Sequence, residues 1–157
     1  MIIGIISSII ATLITNVIAN YINFKYKFHI EIEEYITYVK SIKLHLEYFI
    51  KDDSIKDQLF LKINDRPLTI ISGKALNETG KQIFEGINNS ISCLEENESR
   101  LSCHNIELIK SIESKLQCLL VALIDNKDNI GVCYFQYIKN KVYTKITHKD
   151  DKFENKS

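Results

Sequence analysis

The sequence predicts a mainly α-helical protein in which a single N-terminal transmembrane helix continues into a small cytoplasmic helical bundle. Residues 1–22 contain no charged side chain and are dominated by Ile, Leu, Val and Ala. Most of the remaining chain repeats apolar residues every three or four positions, the period of a helix with one buried face. One proline and five glycines in 157 residues argue against a turn-rich β-sandwich or barrel.

The apolar stretch is long enough for a membrane anchor, because about 20 helical residues cover the roughly 30 Å of a bilayer's hydrocarbon core. No Lys or Arg precedes it, and it is longer than a usual signal-peptide core, so an anchor is favoured over a cleaved signal peptide. The first cations, Lys25 and Lys27, follow it directly. The positive-inside rule then predicts a single pass through the cell (inner) membrane, with the N-terminus outside. An aromatic belt is expected at the cytoplasmic interface: Tyr21, Phe24, Tyr26 and Phe28.

Small and polar residues share one face of this anchor. Such residues let helices approach closely in lipid and hydrogen-bond to one another. The face therefore predicts a homo-oligomer, although the hydroxyls can instead bond back to their own helix. The predicted association face consists of Gly4, Ser8, Ala11, Thr12, Thr15 and Asn16.

Three segments are predicted: an anchor over residues 1–24, a cytoplasmic helical domain over 25–148 and a polar tail over 149–157. The domain begins with an amphipathic helix over 28–50 that continues from the anchor without Gly or Pro. Asp53 or Ser54 is suited to cap the next helical segment.

Helical periodicity returns from residue 75 to a loop near 99–104, and again from 106 to about 125. Two segments stay ambiguous. Residues 55–74 fit short helices or a hairpin, with the helices favoured. Residues 130–148 fit one helix face or a short β-hairpin that turns at residues 139–141.

Neither a catalytic motif nor a cofactor fingerprint is present, so the sequence predicts a non-enzymatic protein without a cofactor. Twenty basic and twenty acidic residues balance, and bulk charge therefore gives no case for long nucleic acid. Four cysteines lie ten to fifteen residues apart and suit small buried side chains. Cys93 with Cys103 and His104 falls short of the usual four zinc ligands, and we predict no metal site.

Two cationic groups suit an anionic ligand. Lysines neutralise phosphates and flat rings stack on bases, which favours a short or cyclic oligonucleotide. The alternatives to ligand binding by these groups are an ordinary charged surface or attraction to anionic lipid headgroups. The tail group contains Lys139, Lys141, Tyr143 and Lys145, and the second group contains Arg66, Lys74 and Lys81.

An N-terminal membrane segment, MIIGIISSIIATLITNVIAN, followed by a compact domain resembles the small membrane effector of type III CRISPR antiviral systems. The resemblance implies an oligomer that binds cyclic tetra-adenylate in its cytoplasmic domain and then acts at the membrane. It rests on layout and length, and no binding motif matches residue by residue. The expected function is thus a membrane sensor-effector. The alternatives are a tethered helical scaffold that recruits a protein partner, or a holin-like pore former.

Overall fold

The computed structural model describes residues 2–70, 72–127 and 133–142, and its regular structure in these ranges is entirely helical. This confirms the mainly α fold class. Two short 3₁₀ turns, Asp53–Ile55 and Glu98–Arg100, join the longer elements. The helices are α1 (Ile2–Phe49), α2 (Lys56–Asn64), α3 (Ser72–Ala75), α4 (Glu78–Glu96), α5 (Ile106–Lys127) and α6 (residues 133–142).

Helix α1 is a single rod of 48 residues, about 70 Å long, that changes character near residue 24. Before that point its large apolar side chains from Ile5 to Ile22 are 51–60 % exposed. This segment is long and apolar enough to span a membrane. From Phe24 onwards, side chains at intervals of three and four residues are buried, which makes the second half of α1 the centre of the bundle.

The bundle packs α2 and α5 against this second half of α1, and α4 packs on α5. The Tyr35 ring stacks on Phe84 of α4, with ring centroids 4.1 Å apart. Its hydroxyl donates to Asn88 Oδ1 at 2.9 Å. Helices α4 and α5 approach closely at Gly86, where an added Cβ would lie 3.2 Å from the Leu119 side chain. The fully buried core includes Phe28, Ile32, Ile42, Leu46, Phe49, Leu59, Ile63, Ile87, Ile91, Leu94, Ile109, Leu116 and Leu123.

The turn after α1 has a different cap from the predicted one. The carboxylate of Asp52, rather than the side chain of Asp53 or Ser54, accepts the backbone N–H of Ser54 at 2.9 Å. Asp53 is instead directed to the loop before α5, where Oδ1 accepts the N–H of Cys103 at 2.6 Å. A long-range loop contact thus uses the side chain that local sequence rules assigned to a cap.

The two ambiguous segments have different outcomes. In the segment 55–74 the short helices α2 and α3 are present, as favoured, and α2 occupies the stretch 59–63 that the hairpin alternative needed as a strand. Residues 133–142 are helical, including the predicted turn at 139–141. The hairpin near the C-terminus is therefore not confirmed. The rest of that segment, residues 130–132 and 143–148, lies outside the described residues.

Candidate functional site

Aromatic rings join α6 to α1 at the point where the exposed apolar segment ends. Phe24 lies 5.1 Å from Tyr134 and 5.0 Å from Tyr137, measured between ring centroids. Tyr21 meets Tyr134 edge-on at 5.0 Å, and Phe28 stacks near Phe24 at 5.5 Å. Such ring pairs stabilise a contact beyond their buried area. We call these five residues the junction cluster.

Helical spacing explains why these residues meet. Positions 21, 24 and 28 are three and four residues apart and share one face of α1. On α6, positions 133, 134 and 137 face them by the same spacing. Cys133 is only 2 % exposed, and its burial raises the pKa of the thiol. The junction cluster therefore fastens α6 beside the end of the apolar segment.

The predicted aromatic belt is only partly placed as expected. Tyr26 is 66 % exposed, whereas Phe24 and Phe28 are buried. The rings of Tyr134 and Tyr137 on α6 pack on Phe24 and cover it, and the Phe28 ring stacks on Phe24.

Parts of the two predicted cationic groups come together where α6 contacts α3. Asn140 Nδ2 on α6 donates to the backbone oxygen of Lys74 on α3 at 2.8 Å, although 66 residues separate them. The exposed side chains of Lys139 and Lys141 flank Asn140, and Lys141 Nζ lies 5.9 Å from the Tyr137 ring centroid. We call Lys74, Lys139 and Lys141 the cationic group. Tyr143 and Lys145, predicted as neighbours of these lysines, lie outside the described residues.

Arg66 has a different environment from the cationic group. Its Nη2 lies 3.6 Å from Glu95 Oε1 of α4. It also lines a cavity of about 520 Å³ against α1, together with Tyr38, Lys62 and three carboxylates, those of Glu33, Glu34 and Asp65. Three acids against two cations make this cavity a poor match for a polyphosphate. Lys81 lies in the first turn of α4 and is partly buried.

Asp53, Cys103 and His104 place one potential metal ligand atom each within 4.8 Å of one another. Cys93, which the sequence paired with this dipeptide, does not belong to the group; its carbonyl accepts from Asn97 instead. Donation from the Cys103 N–H holds the pKa of the Asp53 carboxyl below its usual range. Asp53 Oδ2 also accepts from Ser102 Oγ at 3.3 Å. Both oxygens of the Asp53 carboxylate thus accept hydrogen bonds from the loop before α5 and stabilise its conformation.

The predicted association face lies on the exposed first half of α1. The Thr12 hydroxyl donates to the Ser8 carbonyl at 2.9 Å, and the Thr15 hydroxyl donates to the Ala11 carbonyl at 2.8 Å. In the single chain these hydroxyls therefore bond within their own helix. Gly4 lies in the same helix, and Asn16 is exposed. Association between chains stays a prediction.

Comparisons with protein-family models, curated proteins and solved structures gave no match to this chain.

Proposed function

We propose that this protein is a non-enzymatic, membrane-anchored sensor-effector whose helical bundle binds an anionic messenger and transmits the binding to its anchor. The observation that carries the proposal is the continuity of α1. One helix supplies both the exposed apolar segment and the centre of the bundle core. A rigid element shared by two regions transmits a change in one to the other without a further linker.

The proposed orientation follows from charge. Lys25 and Lys27 are the first cations after the apolar segment, and both are exposed. By the positive-inside rule the bundle lies in the cytoplasm and the N-terminus lies outside the cell (inner) membrane. The small-residue face of α1 then meets sister chains within the bilayer, so the working unit is a homo-oligomer.

The proposed messenger is a short or cyclic oligonucleotide, of the kind that antiviral CRISPR systems produce. Support comes from the cationic group. Lys74 lies on α3 and the other two lysines lie on α6, and the hydrogen bond from Asn140 to the Lys74 carbonyl holds the two helices together. Lysines are suited to neutralise several phosphates of one small ligand. Arg66 is not included because it is paired with Glu95. Lys81 is not included because it is partly buried in the first turn of α4.

Titration of the full-length protein in nanodiscs with cyclic tetra-adenylate tests the ligand. The variant Lys139→Gln/Lys141→Gln removes two exposed cations, and Lys110→Gln/Lys115→Gln removes two exposed cations of α5 as a matched control. We expect saturable binding that weakens in the first variant and is unchanged in the second. Equal affinity in the two variants would reject the cationic group as the site. Absence of binding to any cyclic or linear oligonucleotide would reject the sensor function.

A second candidate function is a tethered scaffold that recruits a protein partner. It is favoured by a groove of about 360 Å³ between α1 and α5, lined partly by Leu44, Val121 and Ile124. Leu44 and Val121 are about half exposed, as expected of a surface that binds another protein. A photo-crosslinking residue in place of Leu44 tests this, with one in place of Lys115 as control. An adduct with one defined protein that forms only at position 44 supports recruitment, and identical adducts at both positions oppose it.

A further inference from the structure

The outer face of α6 carries an apolar stripe that no described part of the chain covers. Phe135 is 72 % exposed, Val142 is 52 % exposed and Ile138 is 38 % exposed. At 100° per residue these three positions fall within an arc of about 60°. The opposite face, with Cys133 and Tyr137, is the one that packs on α1. Two opposite faces of α6 therefore carry apolar side chains, and only the face towards α1 is buried in the bundle.

The position of α6 along α1 identifies what covers this stripe. Tyr134, next to Phe135, contacts Tyr21, and the exposed apolar segment of α1 ends one residue later at Ile22. Phe135 thus lies at the level where the membrane-spanning segment ends. An aromatic ring at that level matches the interfacial zone of a bilayer.

The charges around α6 match the same surface. Lys139 lies four residues beyond Phe135, which is about 6 Å along the helix. The headgroup zone on each side of a bilayer has a thickness of roughly 5–7 Å. Lys139 therefore lies at headgroup depth when Phe135 reaches the edge of the hydrocarbon. Lys141, six residues and about 9 Å beyond Phe135, lies at the outer edge of the headgroups, within reach of its long side chain. The exposed Lys25 and Lys27 on α1 lie at a similar level.

We propose that the start of α6 docks at the membrane surface, with Phe135 inserted beside the acyl chains and Lys139 and Lys141 directed to anionic lipid headgroups. The proposal rests on the membrane anchoring proposed above. Docking holds the base of the bundle against the bilayer through the junction cluster. A messenger that engages the same lysines competes with the headgroups and releases α6, which links ligand binding to the membrane at the foot of α1.

Tryptophan fluorescence of the full-length protein tests this, because the chain contains no tryptophan. Phe135→Trp, Val142→Trp and Tyr48→Trp each place one reporter at an exposed position. Ile14→Trp reports the anchor separately. The proteins are reconstituted in phosphatidylcholine vesicles that contain phosphatidylglycerol, and brominated lipid is added as the quencher. We expect strong quenching at 14, clear quenching with blue-shifted emission at 135, weaker quenching at 142 and none at 48.

Quenching at 14 together with no quenching at 135 would overturn the docked helix while the anchor stands. No quenching at 14 would reject the anchor itself, and the docked helix with it. Blue-shifted emission at 135 that grows with protein concentration and is insensitive to brominated lipid would assign the stripe to a second copy of the chain. Slow labelling of Cys133 in the Phe135→Trp variant verifies that α6 still packs on α1.

The lysines are tested in the same assay. Removal of the charge at Lys139 and Lys141 should lower the ratio of docked to undocked helix by roughly five-fold per lysine in anionic vesicles. Vesicles of phosphatidylcholine alone should remove this difference. The control pair Lys110→Gln/Lys115→Gln should not change quenching at 135. Equal quenching with and without phosphatidylglycerol would contradict the role of the lysines.

Discussion

Phe24→Ala should release α6 from α1 while the rest of the bundle stays folded. Phe24 is 4 % exposed, and two of its three neighbouring rings, Tyr134 and Tyr137, belong to α6. Truncation of a buried Phe typically costs about 3–5 kcal/mol. Because most of the lost ring contacts join α6 to α1, the loss falls mainly on the docking of α6. A loss of about 3 kcal/mol raises the population of the open state roughly hundred-fold.

The thiol of Cys133 provides the assay. It is buried at the start of α6, and its burial also raises its pKa, so both effects slow its reaction with a maleimide. When α6 opens, both effects disappear. Labelling of Cys133, followed by peptide mass spectrometry, should therefore accelerate roughly hundred-fold in Phe24→Ala. The exposed Cys118 serves as the internal reference for reagent activity.

Phe49→Ala is the matched control, because Phe49 is fully buried near the other end of α1. This variant should accelerate hydrogen exchange of the most protected amides in α4 and α5, whereas Phe24→Ala should leave them protected. If Cys133 in Phe24→Ala is labelled as slowly as in the parent protein, the junction cluster does not hold α6. If α4 and α5 lose protection in both variants, α6 is not a separate docking unit.

Three further changes test other contacts. Asp53→Asn should lower the melting temperature at neutral pH, because the hydrogen bond from the Cys103 N–H lowers the pKa of the Asp53 carboxyl. The stabilisation by the Asp53 carboxylate is present above the ordinary aspartate pKa and is lost as the pH falls through the lowered value. A difference in melting temperature between the two proteins that persists in strong acid would refute this role. Tyr35→Phe should cost about 1 kcal/mol in urea unfolding, since it leaves Asn88 Oδ1 without its donor, and an unchanged midpoint would contradict that bond. Asn23→Pro should destabilise α1 by about 3 kcal/mol and produce fast amide hydrogen exchange near residue 23 only. If amide exchange near residue 23 is the same in the variant and the parent protein, α1 is already interrupted there.

Periodicity alone was sufficient for the long helices. The change from uniform to amphipathic hydrophobicity near residue 24 marks where α1 enters the bundle, because a helix that packs on one side against other helices has one apolar and one polar face. The stripes of α4 and α5 were likewise visible. The helix ends were predicted less accurately, since Asp52, rather than Asp53 or Ser54, caps the turn after α1. Local rules do not reveal that Asp53 is taken by a loop fifty residues away.

The tail could not be assigned from its sequence because its β-branched and aromatic residues fit both a strand and a helix face. Residues 133–142 are helical, and rings from α1 supply the contacts that favour this. The candidate site shows the same limit. Composition identified the lysines, but their grouping depends on the bond from Asn140 to the backbone of Lys74. That partner is a carbonyl, which has no signature in the sequence.

Hydrogen exchange of the full-length protein in nanodiscs tests most directly whether one helix joins the anchor to the bundle. If α1 is continuous, the amides from Ile18 to Phe28 should be protected without a gap, because every one of them donates within the helix. A fast-exchanging stretch between Ile22 and Phe28 in the parent protein would separate the anchor from the bundle and contradict the proposed coupling.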